Sequence, residues 1–548
     1  MTAVGAAAPV ASPTRGADRA GALLPRLGAL LAVAAVALPC VLAAAALAAA
    51  HPDVVVGDDR GLAELALMRA VHHAQLVGPY SRFGWHHPGP SWFYLLGVPY
   101  LLTGQATYAM YLGTLLLQAG AAVWIVLAVR RHGGAALALA TALALLLYLR
   151  ALGPQLVRFA WNPLATTLPM ALLLVLAALG AAGSLSALCG ALVVGSFLVQ
   201  THVSTAPVVL AAIAVALVAY LARTGPPWRH LPTSGRARAL VAVGLAAAVL
   251  MWVPPLLDQV TGHPGNITAL VAFFRCGCNP PHPLHEGLSA AGQMLAGLVH
   301  GNLPVVAALD GVMTRRRWLA LAGFTAAAVV LCLAGHRRGD RFAEAAGGIL
   351  VVALAVAVVS FTRIAGPVEG YLVIWVSALG VVLAIGWASL LVGMLPALGR
   401  RLGARPRAVA AATLALSLAA AIAALSITGA QRLLDLPSPA AEPGDLQVGY
   451  PQAWRLTESA MLTMQPRPVL VRIATHDLWG TAAALTVQLV KHGWPVHVTD
   501  DWVFYFGPEY RSSGHEPVEL VVADPAGAAG LAGERLGQAG GAVLILRR

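Results

Sequence analysis

Eleven apolar runs, each near the length that crosses a bilayer, constrain this chain more than any other feature. They lie near 27–50, 107–129, 134–150, 162–182, 184–200, 205–222, 239–256, 318–335, 343–361, 371–395 and 407–427. A hydrocarbon core needs about 20 apolar residues per helix, and a backbone in lipid must bond to itself, which favours helices. The sequence therefore predicts a polytopic α-helical membrane protein with about eleven transmembrane helices. Of 548 residues, 59% are hydrophobic and 11% charged, too few charges to cover a soluble surface of this size. Cytosolic enzymes and nucleic-acid-binding proteins are excluded on that ground. The formal charge of +12 is read as the basic bias of cytoplasmic loops.

Arginines set the orientation. Arg15, Arg19 and Arg26 precede the first run, which places residues 1–26 in the cytoplasm and residue 51 outside. Many stop-transfer segments follow, so the first run is not a cleaved signal peptide. The apolar segment 91–103 is short, and reading it as interfacial or re-entrant keeps Arg130–Arg131, Arg223–Arg238, Arg337–Arg341 and Arg400–Arg407 inside. Arg315–Arg317 then falls outside as a snorkelling helix end, unless 288–306 forms a twelfth span. Both counts stay open. The division is a transmembrane body over 27–427, with outer loops at 51–106 and 257–317, and a region over 428–548. That region opens on the linker LPSPAAEPGD, then alternates VLVRIA (469–474) and VELVVAD (518–524) with a helical pattern near 478–492. It reads as a small α/β domain, extracytoplasmic because an odd number of spans precedes it, with a structural or acceptor-binding role.

Cys40, Cys189 and Cys332 sit in apolar runs as small buried residues. Cys276 and Cys278 form C-x-C beside His282 and His285, at a spacing poor for zinc.

The scarce acids gather after the first run. Asp58 and Asp59 follow Gly57, and LAELALMRAVHHAQL continues with helical spacing at Leu62, Leu65 and Met68. The pattern predicts a helix lying on the bilayer with both carboxylates at its N-terminal end. His86-His87-Pro88-Gly89-Pro90 stiffens the return to the membrane. Trp85, Trp92, Phe93 and Tyr94 form an aromatic belt, and His72, His73, His86 and His87 are read as interfacial. Gln200-Thr201-His202, polar between two apolar runs, favours lining a cavity over facing lipid.

This loop resembles the GT-C glycosyltransferases, closest to the protein O-mannosyltransferases and the aminoarabinose transferases of lipid A. Asp58 to Ala66, DDRGLAELA, stands where that family has D-E-x-R-Y-A-E-I-A, and His87-Pro88-Gly89-Pro90 stands where it has H/K-P-P-L. Asp59 departs from the family's frequent Glu, and Gly61-Leu62 from its Arg-Tyr pair. The resemblance implies a membrane glycosyltransferase at the outer face of the bacterial cytoplasmic membrane. Its donor is a polyprenyl-phosphate sugar, its acceptor an envelope glycan, lipid or protein, and transfer inverts the anomeric centre. Asp58 becomes the candidate base, while Asp59 orients the acceptor or holds a divalent cation; being adjacent, the two can exchange roles. Glu64, His87 and His202 are candidate substrate-binding residues. Arg82, Arg158 and Arg363 are candidates for the leaving phosphate. A transporter and an inactive transferase-like scaffold are the alternatives, although no internal repeat is visible and the polar residues concentrate at one face.

Overall fold

The computed structural model describes residues 15–226, 234–301, 303–400, 404–439 and 449–548. Residues 1–14 of the expected tail, 227–233 and 401–403 of two expected basic loops, and 440–448 of the expected linker lie outside the described residues.

The chain opens with α1 (Arg15–Ala50), α2 (Asp58–Val71), the hairpin β1 (Tyr80–Ser81) and β2 (Trp85–His86), α3 (Ser91–Leu102), α4 (Ala109–Leu152) and α5 (Pro154–Arg158). There follow α6 (Thr167–Ala181), α7 (Leu185–Thr201), α8 (Ala206–Thr224), α9 (Gly235–Met251), α10 (Val253–Thr261), α11 (Asn266–Arg275) and α12 (Leu284–His300). The body closes with α13 (Arg315–Arg338), α14 (Arg341–Phe361), α15 (Gly370–Val373), α16 (Ser377–Arg400) and α17 (Ala404–Leu434). Among the described residues, nine helices are long and apolar enough to cross a membrane, which makes this a multi-pass membrane protein.

Contacts between distant residues show how these helices run. α4 breaks at Gly134 (φ 70°, ψ −160°), so its 44 residues form two arms. Tyr111, on the first arm, accepts a hydrogen bond from Arg60 (3.2 Å), and Trp161, beyond the second, bonds Asp59. Between them His132 lies 3.5 Å from Asp340, in the turn joining α13 to α14. The chain thus descends from the level of Asp58–Asp59, turns at Gly134 and returns, with arms matching the runs at 107–129 and 134–150. The apolar α7, of 17 residues, is shorter than these nine.

Two segments do not cross. α3 begins at Ser91 beside Gln200, and its Tyr100 bonds Glu64, so both ends stay at the Asp58–Asp59 level. α12 likewise starts and ends at this level: His282 before it bonds the Gly366 carbonyl (2.9 Å), and Ala308 beyond it bridges to Glu369. The expected twelfth span at 288–306 is therefore not a crossing helix. Nor does the whole Arg315–Arg317 triplet snorkel: Arg317 is buried against Asp310, Ser289 and the Val312 carbonyl.

The C-terminal domain rests on the same end. It contains α18 (Tyr450–Met461), β3 (Val469–Ile473), α19 (Trp479–Lys491), β4 (Val496–Val498), α20 (Asp500–Phe506), β5 (Val518–Ala523), β6 (Glu534–Ala539) and β7 (Ala542–Arg547). The five strands are ordered β4-β3-β5-β7-β6, with β4, β3 and β5 parallel and β7 and β6 antiparallel to their neighbours. β4 has only three residues, too short for a visible alternation in sequence.

α2 departs from its expected place. It is covered by protein rather than exposed at a surface: Arg60 to Met68 are all buried, between α3 on one side and α19 on the other. Its small and apolar residues surround the helix, so no face suits open water.

Candidate functional site

The two aspartates open α2 in a constrained turn. A Cβ at Gly57 would collide with the Gly480 carbonyl and lie 2.6 Å from the Tyr450 ring, so only glycine allows α19 this close. Asp58 itself adopts φ 47°, a conformation that costs a non-glycine residue of order 1 kcal/mol or more. Successive helical residues point about 100° apart, and the two carboxylates diverge accordingly.

Asp58 accepts the Arg60 backbone N–H (3.3 Å) and lies 3.5 Å from the Arg60 guanidinium. Arg60 is buried and stacked 4.6 Å over the Phe159 ring. Asp59 accepts hydrogen bonds from the Tyr80 hydroxyl at Oδ1 and from Trp161 Nε1 at Oδ2 (3.0 Å). Burial pushes Asp58 up to about 6, reinforced by Asp59 and opposed by Arg60. Asp59 is also raised by burial, against the pull of the Tyr80 and Trp161 bonds and of Arg60.

A cavity of about 1270 Å³ opens beside α2, and Asp59 lines it while Asp58 does not. Its membrane-side wall is apolar, with Leu270 and Val271 of α11, Val356 and Val359 of α14, and Pro207 of α8. Where that wall meets the polar end stand Arg82, Arg275 and Arg363. Arg82 lies 3.6 Å from Glu369; among the described residues, no ion pair engages Arg275 or Arg363. His87 and His202 stack with centroids 4.5 Å apart, and His87 Nδ1 accepts the Val203 N–H (3.1 Å). Burial, with His202 and His86 adding to it, holds His87 well below the usual imidazole range, so it is neutral at pH 7. His476, Trp479, Trp502 and Tyr505 of the C-terminal domain complete the enclosure.

Of the residues singled out in the sequence, the fold brings Asp59, Arg82, His87, His202 and Arg363 to one cavity. Asp58, Glu64 and Arg158 lie outside its lining. Glu64 is buried at 0% exposure; Tyr100 and Thr107 donate to it (3.0 Å each), and Lys491, the only lysine in the sequence, pairs with it. It joins two parts of the fold, and a substrate cannot reach it. Arg158 is buried at the end of α5.

A divalent cation at Asp59 does not fit the donors present. No group of three or more His, Cys, Asp or Glu side chains among the described residues could hold a metal there, while the Tyr80 and Trp161 bonds leave each Asp59 oxygen a further acceptor position. Cys276 and Cys278 pair with each other, and His282 bonds Glu286 (2.7 Å).

Tyr80, Trp161, Arg275 and the four C-terminal residues were not legible as site residues. Each is a common side chain at a loop or helix end, and only long-range packing distinguishes it.

No protein-family model matches the sequence, and no curated protein does either. In three dimensions the chain is similar to ArnT from Cupriavidus metallidurans in its apo state, with a TM-score of 0.54 at 17% identity, over 97% of this chain and 98% of that one. An oligosaccharyltransferase from Archaeoglobus fulgidus, also in its apo form, matches with a TM-score of 0.42 at 13% identity, over 92% of this chain and 69% of that one.

Proposed function

We propose that this chain, built on the GT-C fold it shares with ArnT, is a membrane glycosyltransferase that transfers a sugar from a polyprenyl-phosphate donor to an envelope acceptor. The reaction runs at the extracytoplasmic face of the bacterial cytoplasmic membrane, with inversion, and Asp59 is the general base. One observation carries the reading: a single cavity joins an apolar trough at membrane level to a buried carboxylate and two arginines that no ion pair engages among the described residues. An amphiphile with an anionic junction fits that arrangement, its prenyl chain along α11 and α14 and its phosphate beside Arg275 and Arg363.

The chemistry follows from the positions. Asp59 removes the proton of an acceptor hydroxyl as the new C–O bond forms at the anomeric carbon. The bond to the carrier phosphate breaks on the opposite side, and its electron pair leaves with the phosphate. The arginines counter the charge that builds there. A carboxyl raised by burial is a stronger base than an exposed aspartate, which suits Asp59 to take the proton. Asp58, turned from the cavity, sets the charge around Asp59 and holds Arg60.

Asp59→Asn tests the reading in native membranes, by transfer of label from endogenous polyprenyl-phosphate sugar. Loss of a general base costs about 10²–10⁴ in rate, so Asp59→Asn should lose transfer at equal abundance. Asp58→Asn should retain most of it. Undiminished transfer by Asp59→Asn sinks the proposed mechanism, and the opposite ranking moves the base to Asp58.

A further inference from the structure

The wall that the C-terminal domain contributes is made of rings. His476 follows β3, Trp479 opens α19, and Trp502 and Tyr505 lie on α20, which follows β4. All four therefore stand beyond the carboxyl ends of parallel strands, the edge at which open α/β sheets bind ligands. The rings form one cluster. His476 and Trp502 have centroids 5.2 Å apart, Trp502 and Tyr505 5.5 Å, and Tyr505 and Tyr80 5.2 Å, while Trp479 meets Tyr80 edge-on at 6.4 Å. Tyr80 is also the donor to Asp59, so the cluster reaches the carboxylate through one residue.

Charge is distributed the other way. Among the described residues, no Arg, Lys, Asp or Glu of the C-terminal domain lines the cavity. Arg82, Arg275 and Arg363 belong to the membrane body. Arg69, beneath the domain, is engaged by Gln75 (2.7 Å), the Phe506 carbonyl (2.8 Å) and Glu509 (2.9 Å). A phosphorylated acceptor would meet no fixed cation on this wall. A sugar ring suits it: its C–H face carries partial positive charge and packs on the negative face of an aromatic ring, leaving the hydroxyl edge directed at Asp59.

We infer that this ring cluster is the acceptor subsite and that the acceptor is an uncharged envelope glycan, bound by stacking. The inference rests on the glycosyltransferase reading and adds the acceptor class to it. The proton and electron-pair movements are those given above, the hydroxyl being a glycan's.

The test uses cells whose own gene is replaced by Asp59→Asn, with sugar-residue analysis of three envelope fractions: neutral polysaccharide, phosphorylated glycolipid and glycoprotein. The expected result is a residue missing from the neutral polysaccharide. That under-glycosylated polysaccharide then serves as acceptor for membranes carrying the full-length chain. Trp479→Ala should raise its KM about tenfold without changing the donor KM, and Trp479→Phe, which restores a ring, should recover most of the affinity. A residue missing from the phosphorylated lipid or the protein fraction overturns the inference while leaving the transferase reading intact. So does an unchanged acceptor KM in Trp479→Ala. No change in any fraction, either in these cells or in cells carrying Asp58→Asn together with Asp59→Asn, removes the transferase reading itself, and the inference with it.

Discussion

Lys491→Met probes the joint between the C-terminal domain and the membrane body. The Lys491 side chain is 20% exposed and that of Glu64 0%, so the ion pair is screened from water mainly at its lysine end. The substitution keeps most of the apolar stem and removes the charge. Glu64 would keep the Tyr100 and Thr107 hydroxyls as donors but lose its counter-charge. Removing one partner of a buried pair costs about 3–5 kcal/mol, and the partly exposed lysine sets the expectation at the lower part, about 3–4 kcal/mol. At 1.4 kcal/mol per tenfold, the undocked population should rise about 140- to 700-fold. Amide hydrogen exchange in detergent micelles reads this population directly, over Glu64–Met68 of α2 and across α19. Exchange there should accelerate by that factor in Lys491→Met. Glu64→Gln combined with Lys491→Met should recover much of the protection, because a neutral amide needs no counter-charge. Unchanged protection in the single variant, or a double variant no better than the single, would refute the reasoning.

Other expectations follow from the same joint. Asp58 rises from 3.8 to about 6 in the fold, so its burden is absent below about pH 4 and complete above about pH 6, where it weakens the fold by about 3 kcal/mol. Thermal unfolding should therefore show Asp58→Asn more stable than the native chain at pH 7.5 and nearly equal at pH 4; an equal advantage at both would count against the charge argument. Asn tolerates the positive φ of Asp58 as readily as Asp, so backbone strain does not confuse the comparison. Gly57→Ala should lower stability by about 1–3 kcal/mol through overpacking against Gly480 and Tyr450, again read by thermal unfolding. A C-terminal fusion to a reporter active only in the cytoplasm should be silent, whereas one inserted at Arg337–Arg338 should be active. A bright C-terminal fusion would overturn the orientation.

The membrane body was largely legible in the sequence. Whether a segment enters lipid depends on its own residues against a slab of fixed thickness, so the runs at 343–361 and 371–395 announce α14 and α16 directly. A run's turning point is nearly as local, since Gly134 follows Arg130–Arg131. The carboxylate pair was legible for a related reason: charge is costly near lipid, so adjacent aspartates after the first span stand out. What they face was not legible. Asp58 and Asp59 differ by one helical step, and only the packing of α2 beneath α19 turns Asp59 to the cavity and Asp58 away. The partners of Asp59 and Glu64 come from Trp161 and Lys491, far along the chain, and no local pattern marks them. The sequence by itself determined that the chain is threaded through a membrane, because partition into lipid is additive over neighbouring residues. The tertiary structure alone decided which carboxylate, arginines and rings share a cavity, because that rests on the mutual placement of segments with no local tie.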